Sequence, residues 1–81
     1  MYRMHLDQEA ITMKERHCGC FPAVFQWRGR DYRVQTVERC WTVAARDGTR
    51  FRFRARCAEG TFSLSYHLTS DCWYVENGAM D

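Results

Sequence analysis

Apolar and polar residues alternate with a period of two along most of the chain. Phe51, Phe53, Ala55 and Cys57 carry one face of a segment whose other face is Arg50, Arg52, Arg54 and Arg56. Phe62, Leu64, Tyr66 and Leu68 alternate with Ser63, Ser65, His67 and Thr69, and Trp73 and Val75 alternate with Cys72, Tyr74 and Glu76. Upstream, Phe21, Ala23, Phe25 and Trp27 alternate with Pro22, Val24, Gln26 and Arg28. Successive strand side chains point to opposite faces, so each run predicts a half-buried strand. Tyr32, Val34 and Thr36 begin another such run toward Trp41 and Val43, but its phase is lost near Val37 and Glu38, where a bulge or bend is expected. Turn residues fall between the runs at Arg28-Gly29-Arg30-Asp31, Arg46-Asp47-Gly48-Thr49, Ala58-Glu59-Gly60 and Thr69-Ser70-Asp71. Residues 8–15 read as helix or strand equally well, and no long helical pattern separates the strands, which excludes a parallel βαβ sheet. The pattern predicts an all-β fold: a small, strongly bent antiparallel sheet or partly open SH3-like barrel of five to six strands. A single domain over residues 1–81 is expected, with an ordered core of about residues 9–76.

Composition changes what fills that core. Leu, Ile, Val and Phe supply only 14 of the 81 residues, whereas twelve are aromatic. The interior must therefore rest on aromatics, Val and Cys, and Trp27, Tyr32, Trp41, Tyr66 and Trp73 are expected inside. Tyr74 has the opposite phase from Trp73 and Val75 and is expected outside. No apolar run approaches the roughly 18 residues of a membrane span. Residues 1–6 carry Arg3 and His5 and no apolar stretch, so a secretory leader is not expected, and a cytoplasmic protein with reduced thiols is.

Five cysteines stand at Cys18, Cys20, Cys40, Cys57 and Cys72, and an odd count does not make a complete disulfide framework. A structural zinc site takes two short-spaced ligand pairs. His17, Cys18 and Cys20 form one such cluster, and the remaining cysteines form no second one. Cys40, Cys57 and Cys72 lie in apolar or aromatic stretches, as small buried thiols do. No cofactor is expected.

Charge is the strongest chemical feature. Residues 28–56 hold nine arginines against Asp31, Glu38 and Asp47, a local balance of +6, while the rest of the chain carries −4. Arg50, Arg52, Arg54 and Arg56 would form a row spaced about 6.5–7 Å along one strand face. Such a row, with Arg28 and Arg30 nearby, can track phosphates, and guanidinium groups also stack on bases. The same row can instead be a solvated face paired with carboxylates, or a charged edge that blocks aggregation. An acidic protein partner would suit it too. Catalysis is not expected: Ser65 and His67 share a face but lack an orienting third group, and no phosphate-binding or nucleophile motif is present.

The stretch Pro22-x-x-Phe25-x-Trp27-Arg28-Gly29-Arg30-x-Tyr32-x-Val34-x-x-Val37-x-x-x-Trp41 resembles a family of short bacterial domains with an F-x-W-R-G-R-x-Y-x-V hairpin. Gly60-Thr61-Phe62-Ser63-Leu64-Ser65-Tyr66-His67 is similar to that family's second hairpin, and Trp73-Tyr74-Val75 to its closing strand. Some members are associated with Y-family translesion DNA polymerases. The resemblance implies a stand-alone cytoplasmic β domain with a DNA-metabolism partner, and it carries no catalytic motif. The expected function is a binding or accessory module that contacts nucleic acid through its arginine face. The alternatives are a protein-interaction module, which would dock through Tyr74 or an added strand, and a small Cys/His metal-binding protein.

Overall fold

The structure, a computed structural model, describes residues 8–19 and 21–76. Six strands follow one another: β1 (Gln8–His17), β2 (Phe21–Trp27), β3 (Arg30–Ala45), β4 (Gly48–Cys57), β5 (Gly60–His67) and β6 (Cys72–Glu76). Each pairs antiparallel with the next, and β6 pairs back onto β1, so the barrel is closed rather than partly open. Closure also settles the ambiguous segment. Residues 8–11 bond to β6 and residues 12–17 to β2, and only an extended chain can serve both neighbours. Among the described residues no helix is long and apolar enough to cross a membrane.

The β2–β3 turn shows how local chemistry sets register. Arg28 and Gly29 both take positive φ, 54° and 76°, between the paired residues Trp27 and Arg30. Two consecutive left-handed residues twist a two-residue hairpin in the same sense as its strands.

Alternation holds where it was clearest. Phe53, Ala55 and Cys57 are buried and Phe51 half-buried, while Arg54 and Arg56 are exposed and Arg50 and Arg52 partly so. β2 departs from it: Pro22, Ala23, Val24 and Phe25 are all buried, and Phe21 is exposed. Val24 pairs with Glu15 on one side and Arg33 on the other, whose long stems can cover an outward Val.

Aromatic rings fill much of the interior. Phe25 stacks on Tyr32 at 5.3 Å, Tyr32 meets Phe62 edge-on at 5.1 Å, and Phe53 stacks on Trp73 at 5.6 Å. The Trp27 indole donates to the Glu9 carboxylate at 2.8 Å, so that buried N–H has its acceptor. Burial pushes the Cys57 thiol up to about 11. It stays protonated at neutral pH and acts as a small apolar filler.

β3 corrects two expectations. It pairs with β2 over residues 30–33 and with β4 from Val34 onward, and its register slips twice, between Val34 and Thr36 and between Val37 and Arg39. Each slip leaves an unpaired residue and flips the phase. The first carries Val37 to the inside, opposite Ala55. The second returns odd-numbered residues to the outside, opposite Arg54, Arg52 and Arg50. Trp41 is therefore on the outer face and 36% exposed, not in the core. Cys40, opposite the buried Phe53, is itself exposed. The expected bend was there, but it contains two slips and not one.

Candidate functional site

Cross-strand partners in a sheet point to the same side, so the register lays out the outer face row by row. Arg54 has Arg39 on β3 and Ser63 on β5 beside it. Arg52 has Trp41 and Ser65, and Ser65 in turn has Tyr74 on β6. Arg50 has Val43 and His67. The four strand arginines thus share one face, as alternation requires.

They do not stand alone. Arg50 lies 3.2 Å from Asp47, Arg52 is paired with Glu76, and Glu38 takes both Arg54 at 3.7 Å and Arg56 at 2.7 Å. Glu38 is the residue left over at the second slip of β3, and the bulge aims its carboxylate between the two guanidiniums. Three carboxylates therefore offset four arginines. On the row itself four positive charges meet three negative ones, although surface pairs of this kind contribute only about 0.2–1 kcal/mol each and exchange readily.

Arg28 and Arg30 leave the row. They sit at the β2–β3 turn, where Arg28 lies over Trp27 at 4.7 Å and is bound to Glu9, and Arg30 lies over Tyr32 at 5.6 Å with Glu59 at 3.8 Å. Their pairing with the turn and with Glu9 makes them part of the barrel's end, not of the β4 face.

Trp41 is the misplaced residue that matters most for this face. Its ring carries the Arg39 guanidinium at 4.9 Å, and no carboxylate pairs with Arg39 among the described residues. An exposed indole covered by a cation, with Arg52 and Arg54 across the strand, supplies the aromatic that the arginine row otherwise lacks. Tyr74, expected outside, is half-buried, its ring 4.4 Å from that of His67.

Ser65 is fully buried on the outer face, and among the described residues neither its hydroxyl nor His67 Nε2 has a hydrogen-bond partner, so the two are not bonded to each other. His17 and Cys18 are exposed at the β1–β2 turn, and Cys20 lies outside the described residues. Among the described residues no three metal-ligating side chains come together.

No protein-family model matches the chain, and neither the curated proteins nor the solved structures yield a match.

Proposed function

We propose that this chain is a non-enzymatic binding module of the cytoplasm that holds a single-stranded nucleic acid on the outer face of β3 and β4. The observation that supports it most is Trp41, exposed under Arg39 and directly opposite Arg52. Single strands are held by two devices together, a basic track for phosphates and an aromatic plane on which a base stacks. The face has both within one strand spacing. The ion pairs to Glu38, Asp47 and Glu76 lower its potential without blocking it, because a polyphosphate chain can displace exposed carboxylates while releasing its own counterions. A partner in DNA metabolism, as the family resemblance implies, is the natural context.

The reading predicts salt-sensitive binding to a short oligodeoxythymidine, followed by the fluorescence anisotropy of a dye-labelled strand. Trp41→Ala is expected to weaken it about tenfold, the equivalent of one lost stacked base. Arg39→Glu with Arg54→Glu is expected to abolish it at moderate salt and to flatten the dependence of affinity on salt, since the slope scales with the number of phosphates neutralised. Binding that survives both changes, or none at low salt, rejects the reading.

A second reading is favoured by the run of Thr42, Val43, Ala44 and Ala45, which carries no charge beyond Trp41 on β3. A protein-interaction module would use that stretch and Trp41 as an apolar anchor for a partner's extended strand. It predicts association that is lost with Trp41→Ala yet is indifferent to salt and to the Arg39 and Arg54 reversals.

A further inference from the structure

At the end of the barrel where the β3–β4 turn meets the β5–β6 turn, a cleft of about 210 Å³ is lined by Asp47, Thr49, Arg50, His67, Thr69 and Ser70. Arg50 and His67 are direct cross-strand partners, so both side chains enter it from the outer face. Each has a ring or guanidine nitrogen that is shielded from water and has no hydrogen-bond partner among the described residues: Nε of Arg50 and Nε2 of His67. A guanidinium N–H always donates, so the Arg50 nitrogen is a donor without an acceptor. Three hydroxyl-bearing residues, Thr49, Thr69 and Ser70, line the same cleft. Asp47 occupies Arg50 only through Nη2, at 3.2 and 3.3 Å, and its carboxylate is two-thirds exposed on the turn. A pair this exposed contributes little, so an external oxyanion can compete with Asp47 for the guanidinium.

We infer that this cleft seats one tetrahedral oxyanion of the phosphate class, which displaces the Asp47 carboxylate, accepts from the guanidinium and imidazole of Arg50 and His67, and is rimmed by the three hydroxyls. The cleft shares Arg50 and Asp47 with the strand-binding face but not Trp41, Arg39, Arg52 or Arg54, so the inference stands without that reading. Charged and titratable groups converge on His67 from every side: Arg50 and Arg52 from β4, Asp47 from the turn, and Cys72 and the Tyr74 ring from β6. Burial first, and the Arg50 cation second, hold its pKa below the usual value of 6.5, with Asp47 opposing them. The ring is therefore mostly neutral at pH 7, and an anion beside it draws a proton onto it. By linkage, anion affinity must rise as pH falls through the histidine range.

The test is an amide and side-chain NMR titration of the full chain with sodium sulfate, with inorganic phosphate in a second series, and with chloride at matched ionic strength as reference. Sulfate is the cleaner probe for pH, since its charge does not change where His67 titrates. Saturable shifts are expected at Gly48, Thr49, Arg50 Nε, His67, Thr69 and Ser70, several-fold tighter near pH 5.5 than near pH 7.5. Arg50→Gln is expected to weaken sulfate about tenfold or more, the loss of a charge-assisted hydrogen bond. Arg50→Lys, which keeps the charge and the fold, is expected to recover only part of it, because Lys lacks the fixed fork. His67→Gln is expected to remove the pH dependence while leaving residual binding. Equal shifts with chloride, unchanged sulfate affinity in Arg50→Gln, or a pH-independent affinity in the unsubstituted protein would each overturn the site. A 5′-phosphorylated oligonucleotide tested against its unphosphorylated form separates a terminal phosphate from a free one as the natural occupant. Oligonucleotide binding weakened in Trp41→Ala with sulfate shifts intact would show that the two readings stand or fall apart.

Discussion

Phe53→Ala is expected to destabilise the protein by about 3–5 kcal/mol, the cost of removing a fully buried aromatic and leaving a cavity. Phe53 has no exposed surface, stacks on Trp73 at 5.6 Å and meets Phe21 edge-on at 5.8 Å. It stands between Cys40 on β3 and Leu64 on β5, so its ring ties three strands together. A domain of this size has a total stability of about 5–15 kcal/mol, and the loss consumes a large share of it. Urea unfolding followed by far-UV circular dichroism would show the midpoint fall sharply. Arg54→Ala, on the opposite face of the same strand, is expected to stay within about 1 kcal/mol, because it loses only an exposed pair. Similar midpoints for the two variants would mean that the inward and outward faces of β4 are wrongly assigned, and with them the arginine face.

The second large effect is at Gly48. Its φ is 127°, a conformation that residues with a Cβ rarely adopt, and an added Cβ would land on the Thr69 hydroxyl, 3.4 Å from the Thr69 Cβ. Gly48→Ala thus combines backbone strain with a collision between the β3–β4 and β5–β6 turns. About 1–3 kcal/mol is expected from the backbone alone. Thermal unfolding of three variants separates the parts. Gly48→Ala should melt lowest, and Gly48→Ala with Thr69→Ala should recover the steric share but not the strain. Gly19→Ala, at φ 87° with nothing within 4 Å of its Cβ, should show strain only. If Gly48→Ala melts no lower than Gly19→Ala, the close approach of the two turns is absent. The cleft between Arg50 and Thr69 would then lose its frame.

Much of this architecture was legible in the order of residues. The Phe and Arg alternation over residues 50–57 leaves no conformation but a strand that hides one face, because a helix would scatter both sets around its axis. The turns at Gly29, Gly48 and Gly60 were equally plain, and all three glycines take positive φ. An all-β domain of five to six strands follows from those features and from the shortage of aliphatic residues.

The candidate site was only half visible, and the reason is register. Trp41 reads as interior or exterior depending on how many residues β3 loses to bulges, and each slip is decided by pairing with β4, which no local window contains. Tyr66 and Trp73 lie inside as expected, whereas Tyr74 is held half-buried by His67, a neighbour from another strand.

What the sequence by itself determined is the strand class, the turns and the gathering of Arg50, Arg52, Arg54 and Arg56 on one face, since period-two alternation is a local property of the chain. Tertiary structure alone decided closure through β1 and β6, the emergence of Trp41, and the carboxylates that meet the arginines. Glu76 reaches Arg52 from 24 residues away, and Glu38 reaches Arg56 from 18. Such partners are set by which strands become neighbours and in what register, and those follow from burying the aromatic core as one closed sheet.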